Sequence, residues 1–168
     1  MADDSDAEPP TTPEGHRLAT LCFPVVGSEV LLIYKKRGIG AGLYNGPGGK
    51  VESGETPKEC AVRETREEVR AVPRDVRKLG ELDFRFGDDP FTYVYVFRAD
   101  ALEGTPEETP EARPEWVSPD EIPYDEMWED DRYWLPHLLD GEPFRGWFQF
   151  DDEGEQLLTW DLETGVDL

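Results

Sequence analysis

The sequence predicts an α/β fold of mixed α+β character, a mixed β-sheet sandwiched between helices. Two observations carry this prediction: strand-like segments outnumber helical ones, and a well-capped helix separates two groups of strands. There is no internal repeat. At 168 residues the chain fits one domain with an ordinary core, expected over residues 16–168.

The first fifteen residues, MADDSDAEPPTTPEG, are acidic and proline-rich and are expected to form a disordered tail. From Arg17, LATLCFPVV reads as a strand, Gly27-Ser28 as a turn, and EVLLIYK as a second strand. Lys35-Lys36-Arg37 is the one basic cluster in an acidic chain. A glycine-rich loop then leads through Leu43-Tyr44-Asn45 to Gly46-Pro47-Gly48-Gly49, irregular backbone suited to close approach of a ligand.

The helix that follows has a clear start. Thr56 suits the N-cap, Pro57 the first helical position, and Glu59 completes a capping box. The helix is expected to run from Pro57 to about Val69. At about 100° per residue, Glu64, Glu67 and Glu68 fall on one side, and Val62, Thr65, Val69 and Val72 on an adjacent core-facing stripe. Carboxylates a turn apart repel by a few tenths of a kcal/mol per pair, so a cation between them is called for. Hard oxygen ligands on a rigid element suit Mg²⁺, which also takes phosphate oxygens as ligands.

Beyond Pro73 two runs alternate with period two: Leu82, Phe84 and Phe86 share one face, and Tyr93, Tyr95 and Phe97 share another, with Asp88-Asp89-Pro90 between them. Residues 101–112 read as a polar, proline-interrupted loop with Glu111 near its end, and residues 113–117 as a short strand. Ser118 is expected to cap a helical turn, SPDEI. A second helix is expected over residues 124–139, bent or broken at Pro136. FRGWFQF and QLLTWDL read as the last two strands, joined by a turn at 151–154.

Charge narrows the function. Lys and Arg number 17 against 39 Asp and Glu, a net −22, which argues against nucleic-acid polymers or anionic membranes as partners. The basic residues are mostly arginine and the acidic ones are spread along the whole chain. This composition resembles that of proteins from salt-loving cells, where the Debye length falls to ~3 Å at 1 M salt and self-repulsion is screened. Cys22 and Cys60 are too few for a disulfide or zinc framework and are expected simply to pack. No apolar run approaches ~20 residues and no signal peptide is recognisable, so a cytoplasmic protein, as a monomer, is expected.

Gly49, Glu55, Arg63-Glu64 and Glu67-Glu68 resemble the Nudix box of nucleoside diphosphate-X hydrolases, G-x5-E-x7-R-E-U-x-E-E-x-G-U with U aliphatic. Six fixed positions at the right spacing leave little room for chance. A salt-bridged surface helix is the ordinary alternative, and the glycine turn and capping box upstream argue against it. Thr65 stands where the box has an aliphatic residue. Arg70 replaces the glycine after the glutamates and puts the usual left-handed helix exit in question. The resemblance implies Glu64, Glu67 and Glu68 as metal ligands with the Gly49 carbonyl, Mg²⁺ as cofactor with Mn²⁺ as an alternative, and Arg63 as the residue that orients a box glutamate, Glu55 being a candidate partner. Which carboxylate is the general base cannot be read from the box; Glu111 is the candidate ligand or base outside it.

Most of the chain, from Arg17 to about Leu162, also looks like the oxidised purine nucleoside triphosphatase (8-oxo-dGTP diphosphatase) branch of that family. The matching pieces are KKRGIGAGLYNGPGGKVESGET, LDFRF…YVYVFRAD, GTPEETPEARPEW and IPYDEMWEDDRYWLPHLL. That likeness implies a nucleoside triphosphate substrate split to monophosphate and pyrophosphate. It implies Asn45, Asp130 and Asp131 as readers of the base, Trp128 as a stacking platform, Phe84 and Phe86 as pocket walls, and Lys35 as a nucleotide contact. Two adjacent carboxylates in a partly apolar pocket disfavour double ionisation, so one keeps a proton to donate to a base oxygen. A switch in which one is protonated would let one pocket take oxidised guanine and oxidised adenine. Ile39 stands where the branch often has an aromatic. His16 and His137 receive no role. The rival readings are a Nudix hydrolase of ordinary dNTPs, ADP-ribose or dinucleotide polyphosphates, and a non-catalytic nucleotide-binding module; such modules typically lose box glutamates that this chain retains.

Overall fold

The computed structural model of the chain describes residues 17–38, 40–87 and 89–168. The expected tail, His16, Ile39 and Asp88 lie outside the described residues. The elements are β1 (Arg17–Val26), β2 (Glu29–Lys35), β3 (Tyr44–Asn45), β4 (Gly48–Lys50), α1 (Pro57–Val69), β5 (Val72–Phe86), β6 (Asp89–Glu103), β7 (Ala112–Val117), α2 (Asp131–Leu139), β8 (Phe144–Phe150) and β9 (Leu157–Thr164).

The strands form one sheet in the order β3-β2-β1-β6-β5-β8-β9, with β4 added beside β1 and β7 beside β2. It is mixed as expected: β1 runs parallel to β6 and β5 to β8, and the other pairings are antiparallel. Strands buried on both faces lose the polar half of the alternation, and β2 illustrates this. Leu31 and Ile33 pack with Val69 of α1, whereas Val30 and Leu32 join Trp134, Leu135 and Leu138 of α2 with Phe23, Leu82, Phe144 and Phe148. The two helices therefore cover opposite faces of the sheet.

Helix α1 begins as its sequence dictates. Glu59 N–H donates to Thr56 Oγ1 at 3.0 Å and Thr56 N–H to Glu59 Oε1 at 2.9 Å, closing the capping box. Its buried stripe is Pro57, Cys60, Ala61, Thr65, Glu68 and Val69. Val62 is only half-buried and Val72 belongs to β5, so the predicted core stripe is corrected by about one position. Thr65 sits in the core because its hydroxyl is satisfied within the helix, donating to Ala61 O at 2.8 Å. Arg70 takes the left-handed exit after all, at φ 59° and ψ 30°, with its N–H bonded to Arg66 O at 2.8 Å. Hydrogen bonding at the cap outweighs the steric cost of a Cβ there.

Other boundaries shift for tertiary reasons. The β5–β6 ladder extends back to Val72 opposite Glu103, which shortens the expected 101–112 loop. Ser118 makes no side-chain cap; the 3₁₀ turn Pro119–Glu121 closes through Glu121 N–H on Ser118 O at 2.8 Å. The helix expected over 124–139 is split into a 3₁₀ turn, Tyr124–Glu126, an extended Met127 and α2. Pro136 neither breaks nor ends α2, because Trp134, Leu135 and Leu138 are fully buried around it.

Candidate active site

Midway along α1, Arg63 gathers the box. Its Nε donates to Glu55 Oε2 at 2.6 Å and Nη2 to Glu55 Oε1 at 3.0 Å. Nη1 donates to Glu64 Oε2 at 2.9 Å and Glu67 Oε1 at 3.2 Å. A planar fork held this way is about twice as strong per bond as a neutral hydrogen bond. Glu55, tied to Arg63, is more acidic than usual and also accepts from Glu52 N–H at 3.1 Å, fixing the loop to the helix.

Glu64 and Glu68 lie deeper. Burial pushes the Glu64 carboxyl up against the opposing pull of Arg63. The Glu68 carboxyl is pushed up to about 8, first by burial and then by the charge of Glu64, while Gly48 N–H, donating to Glu68 Oε1 at 3.2 Å, and Lys35 pull it back. Gly49 makes room for this arrangement, since a Cβ on it would come within 2.5 Å of the Glu64 carboxyl. These two carboxyls, both raised above the ordinary range, and the backbone of Gly48-Gly49 form an oxygen-rich cradle. That donor set fits a hard divalent cation. Glu67 is turned outward on Arg63, its side chain 55 % exposed, and among the described residues no three acidic, His or Cys side chains converge as a ready-made cage. Glu111 does not join them here: Arg37 Nε donates to its Oε1 at 3.1 Å, and Arg37 and Lys35 hold it more acidic than usual.

Beside the cradle is a cavity of about 370 Å³ whose walls include Lys35, Asn45, Gly49, Phe84, Phe86, Trp128, Asp130 and Asp131. The seven residues assigned to nucleotide binding thus come from β2, β3, β5, the turn before α2 and the first residue of α2 to one space. Asn45 Oδ1 is committed to Gly46 N–H at 2.8 Å, which leaves its amide N–H groups as donors to a ligand. Phe84 stacks on Phe148 (centroids 5.8 Å) and Phe86 on Phe150 (5.5 Å).

Asp130 and Asp131 are 3 % and 2 % exposed. Trp134 Nε1–H donates to Asp130 Oδ2 at 2.8 Å. Burial raises both carboxyls, Asp130 to about 6; Asp131, which also faces the charge of Asp130 and has only the backbone of Trp128 to pull it back, stands well above the ordinary range. Of the two, Asp131 resists ionisation more, and its Oδ2 has no hydrogen-bond partner among the described residues. It is a buried polar atom on the cavity wall available to a ligand.

Sequence reasoning missed Phe150, Thr20 and Leu21, which also line the cavity. Phe150 meets Trp128 edge-on at 6.2 Å, and the period-two spacing of Phe148 and Phe150 in β8 would have found it. Thr20 carries no such signal. Thr109 was missed as well: it is 5 % exposed and donates to Glu68 O at 2.8 Å.

Comparison with known proteins shows the family. The NUDIX domain family model matches residues 15–138. The oxidized purine nucleoside triphosphate hydrolase of Mus musculus is 43% identical over 147 residues, covering 87% of this chain and 94% of the relative. That of Danio rerio is 44% identical over 135 residues, covering 80% and 86%. Among solved structures, the mutator MutT protein from Bacillus halodurans superposes with a TM-score of 0.77 at 28% identity, covering 87% of this chain and 97% of that one. A chain with this box, this sheet and these relatives belongs to the Nudix hydrolase family.

Proposed function

We propose that the protein hydrolyses oxidised purine nucleoside triphosphates of the 8-oxo-dGTP kind to the monophosphate and pyrophosphate, cleansing the nucleotide pool of damaged precursors. One observation carries the reading: an aromatic-walled cavity with the buried Asp130-Asp131 pair in its wall opens beside the Glu64–Glu68 cradle. The relatives named for this substrate class support it.

Trp128 and Phe86 offer the flat apolar surfaces on which a purine stacks, and Asn45 offers amide donors to its edge. Asp131 donates its proton to a base oxygen while Asp130, held by Trp134, keeps the charge. Lys35, at the boundary between cavity and cradle, meets the phosphates. Hydrolases of this family generally use a divalent metal such as Mg²⁺. When bound, that ion neutralises phosphate charge and acidifies a water molecule. Glu64, Glu68 and the Gly49 carbonyl would hold it, with Glu67 and Glu111 as further donors in reach of rotamer changes; Mn²⁺ suits the same oxygens. Arg63 keeps Glu64 aimed at Gly49. Water's oxygen ends on one product and its protons are shared between monophosphate and pyrophosphate, with a carboxylate of the cradle as acceptor.

We further infer a cytoplasmic, monomeric enzyme adapted to high salt, supported by the −22 net charge. Among the described residues no helix is long and apolar enough to cross a membrane. Turnover of 8-oxo-dGTP, dGTP and ADP-ribose with Mg²⁺, in dilute buffer and in molar salt, tests the reading. Preference for 8-oxo-dGTP with pyrophosphate release, lost in Glu68→Gln, supports it. Equal or better turnover of dGTP or ADP-ribose overturns the substrate assignment, and absence of any turnover points to a binding module. Full activity in dilute buffer counts against the high-salt adaptation.

A further inference from the structure

The basic run at the end of β2 is divided among three tasks. Lys35 lines the cavity, Lys36 pairs with Glu108, and Arg37 pairs with Glu111. Both acidic partners lie on the segment between β6 and β7, and its backbone is pinned to the end of α1. Thr109 Oγ1 donates to Glu68 O and Glu107 N–H to Val69 O, each at 2.8 Å. Thr109 Oγ1 in turn accepts from Glu111 N–H at 3.2 Å, and Lys36 N–H donates to Glu111 O at 3.0 Å. The Glu111 backbone is thereby fixed between the metal-binding helix and β2, and only its side chain is free to turn.

That side chain now points to Arg37, whose Nε and Nη2 both reach one oxygen, Oε1. Even so, Glu111 stays beside the cradle, because its N–H is bonded to the Thr109 hydroxyl that itself holds Glu68 O. We propose that Arg37 is a positioning residue: its ion pair latches Glu111 away from the Glu64–Glu68 cradle and releases it when a divalent cation enters. The inference deepens the reading of that cradle as a cation site. The latch is weak enough to open, since the Arg37 and Glu111 side chains are 61% and 45% exposed and exposed pairs are easily exchanged. Lys36–Glu108 and Thr109 keep the segment in place while Glu111 turns.

Direct Mn²⁺ titration of the full chain without nucleotide, followed by the electron paramagnetic resonance of free Mn²⁺, tests this in wild type, Arg37→Gln, Glu111→Gln, the double variant and Lys36→Gln. Arg37→Gln is expected to tighten Mn²⁺ binding by about two- to fivefold, the scale of an exposed ion pair. Glu111→Gln should weaken binding and erase the effect of Arg37→Gln. Lys36→Gln, which removes the same charge from a different pair, should tighten it less. An equal Arg37→Gln effect in both backgrounds would show plain charge repulsion and overturn the latch, as would no effect in wild type or an equal effect of Lys36→Gln. Because no nucleotide is present, a wrong substrate assignment leaves this cycle readable, and failure of the cycle leaves the substrate assignment standing.

Discussion

Gly49 lies against the carboxyl group of Glu64, so that a Cβ built on it would stand 2.5 Å from both Cδ and Oε2. A Cβ built on its neighbour Gly48 would instead meet rigid backbone, 2.0 Å from Thr20 O. Two adjacent glycines therefore serve different ends, one the catalytic geometry and the other the β1–β4 pairing.

Gly49→Ala is expected to keep the fold, because the end of a flexible glutamate can move, and to lower kcat by about 10- to 100-fold as Glu64 is displaced. Gly48→Ala should fail to fold or melt far lower, because the Thr20 carbonyl cannot yield. Thermal denaturation beside steady-state turnover separates the two effects.

In the metal-free protein the Glu68 carboxyl titrates at about 8, so at neutral pH a cation must displace its proton. Apparent Mg²⁺ affinity should therefore climb as pH rises from 6 to 8 and level off above, with proton release on binding near pH 7. Calorimetry in buffers of different ionisation enthalpy reads that proton directly. Glu68→Gln should abolish both the release and the pH dependence.

The buried aspartates give stability an unusual slope. Their folded-state carboxyls lie above the ordinary 3.8, Asp130 at about 6 and Asp131 higher, so the native chain binds more protons than the unfolded one across that window. Stability of the ligand-free, chelator-treated protein should fall as pH rises from about 4 through 6 and beyond. Glu68 adds to the decline up to about 8. Urea denaturation across pH 4–9 should show a flatter profile for Asp131→Asn; an unchanged slope would contradict the assignment of the proton to that pair.

Arg70 holds a left-handed φ of 59° where glycine costs no steric strain. Arg70→Gly should therefore raise unfolding stability by an amount on the order of 1 kcal/mol, part of it offset by the greater freedom of an unfolded glycine. The variant should leave turnover unchanged, because Arg70 touches neither the cradle nor the cavity.

The parts of this protein governed by neighbours in sequence were legible without coordinates. Thr56, Pro57 and Glu59 decide where α1 begins because capping involves groups within one turn, and box spacing alone places Glu64 and Glu68 on one side of it. The seven residues expected to contact a nucleotide were named from resemblance, and all of them line the one cavity. The start of α2 was not legible: EMWEDD has ordinary helical propensity, and what unwinds it is the burial of Asp130 and Asp131 against Trp134 and the cavity, across a distance no local signal measures. Phe150 carries a period-two signal, but that its strand, beyond α2, reaches the cavity was hidden in the same way, as was the pairing of Glu111 with Arg37, 74 residues away. Sequence by itself determined the helix, the strand alternation and the line of Glu64, Glu67 and Glu68 along one side of α1, since these follow from local geometry and side-chain chemistry. Only the tertiary structure decided which carboxyl keeps a proton and which is tied to an arginine, because burial and charge proximity are properties of packed, distant segments.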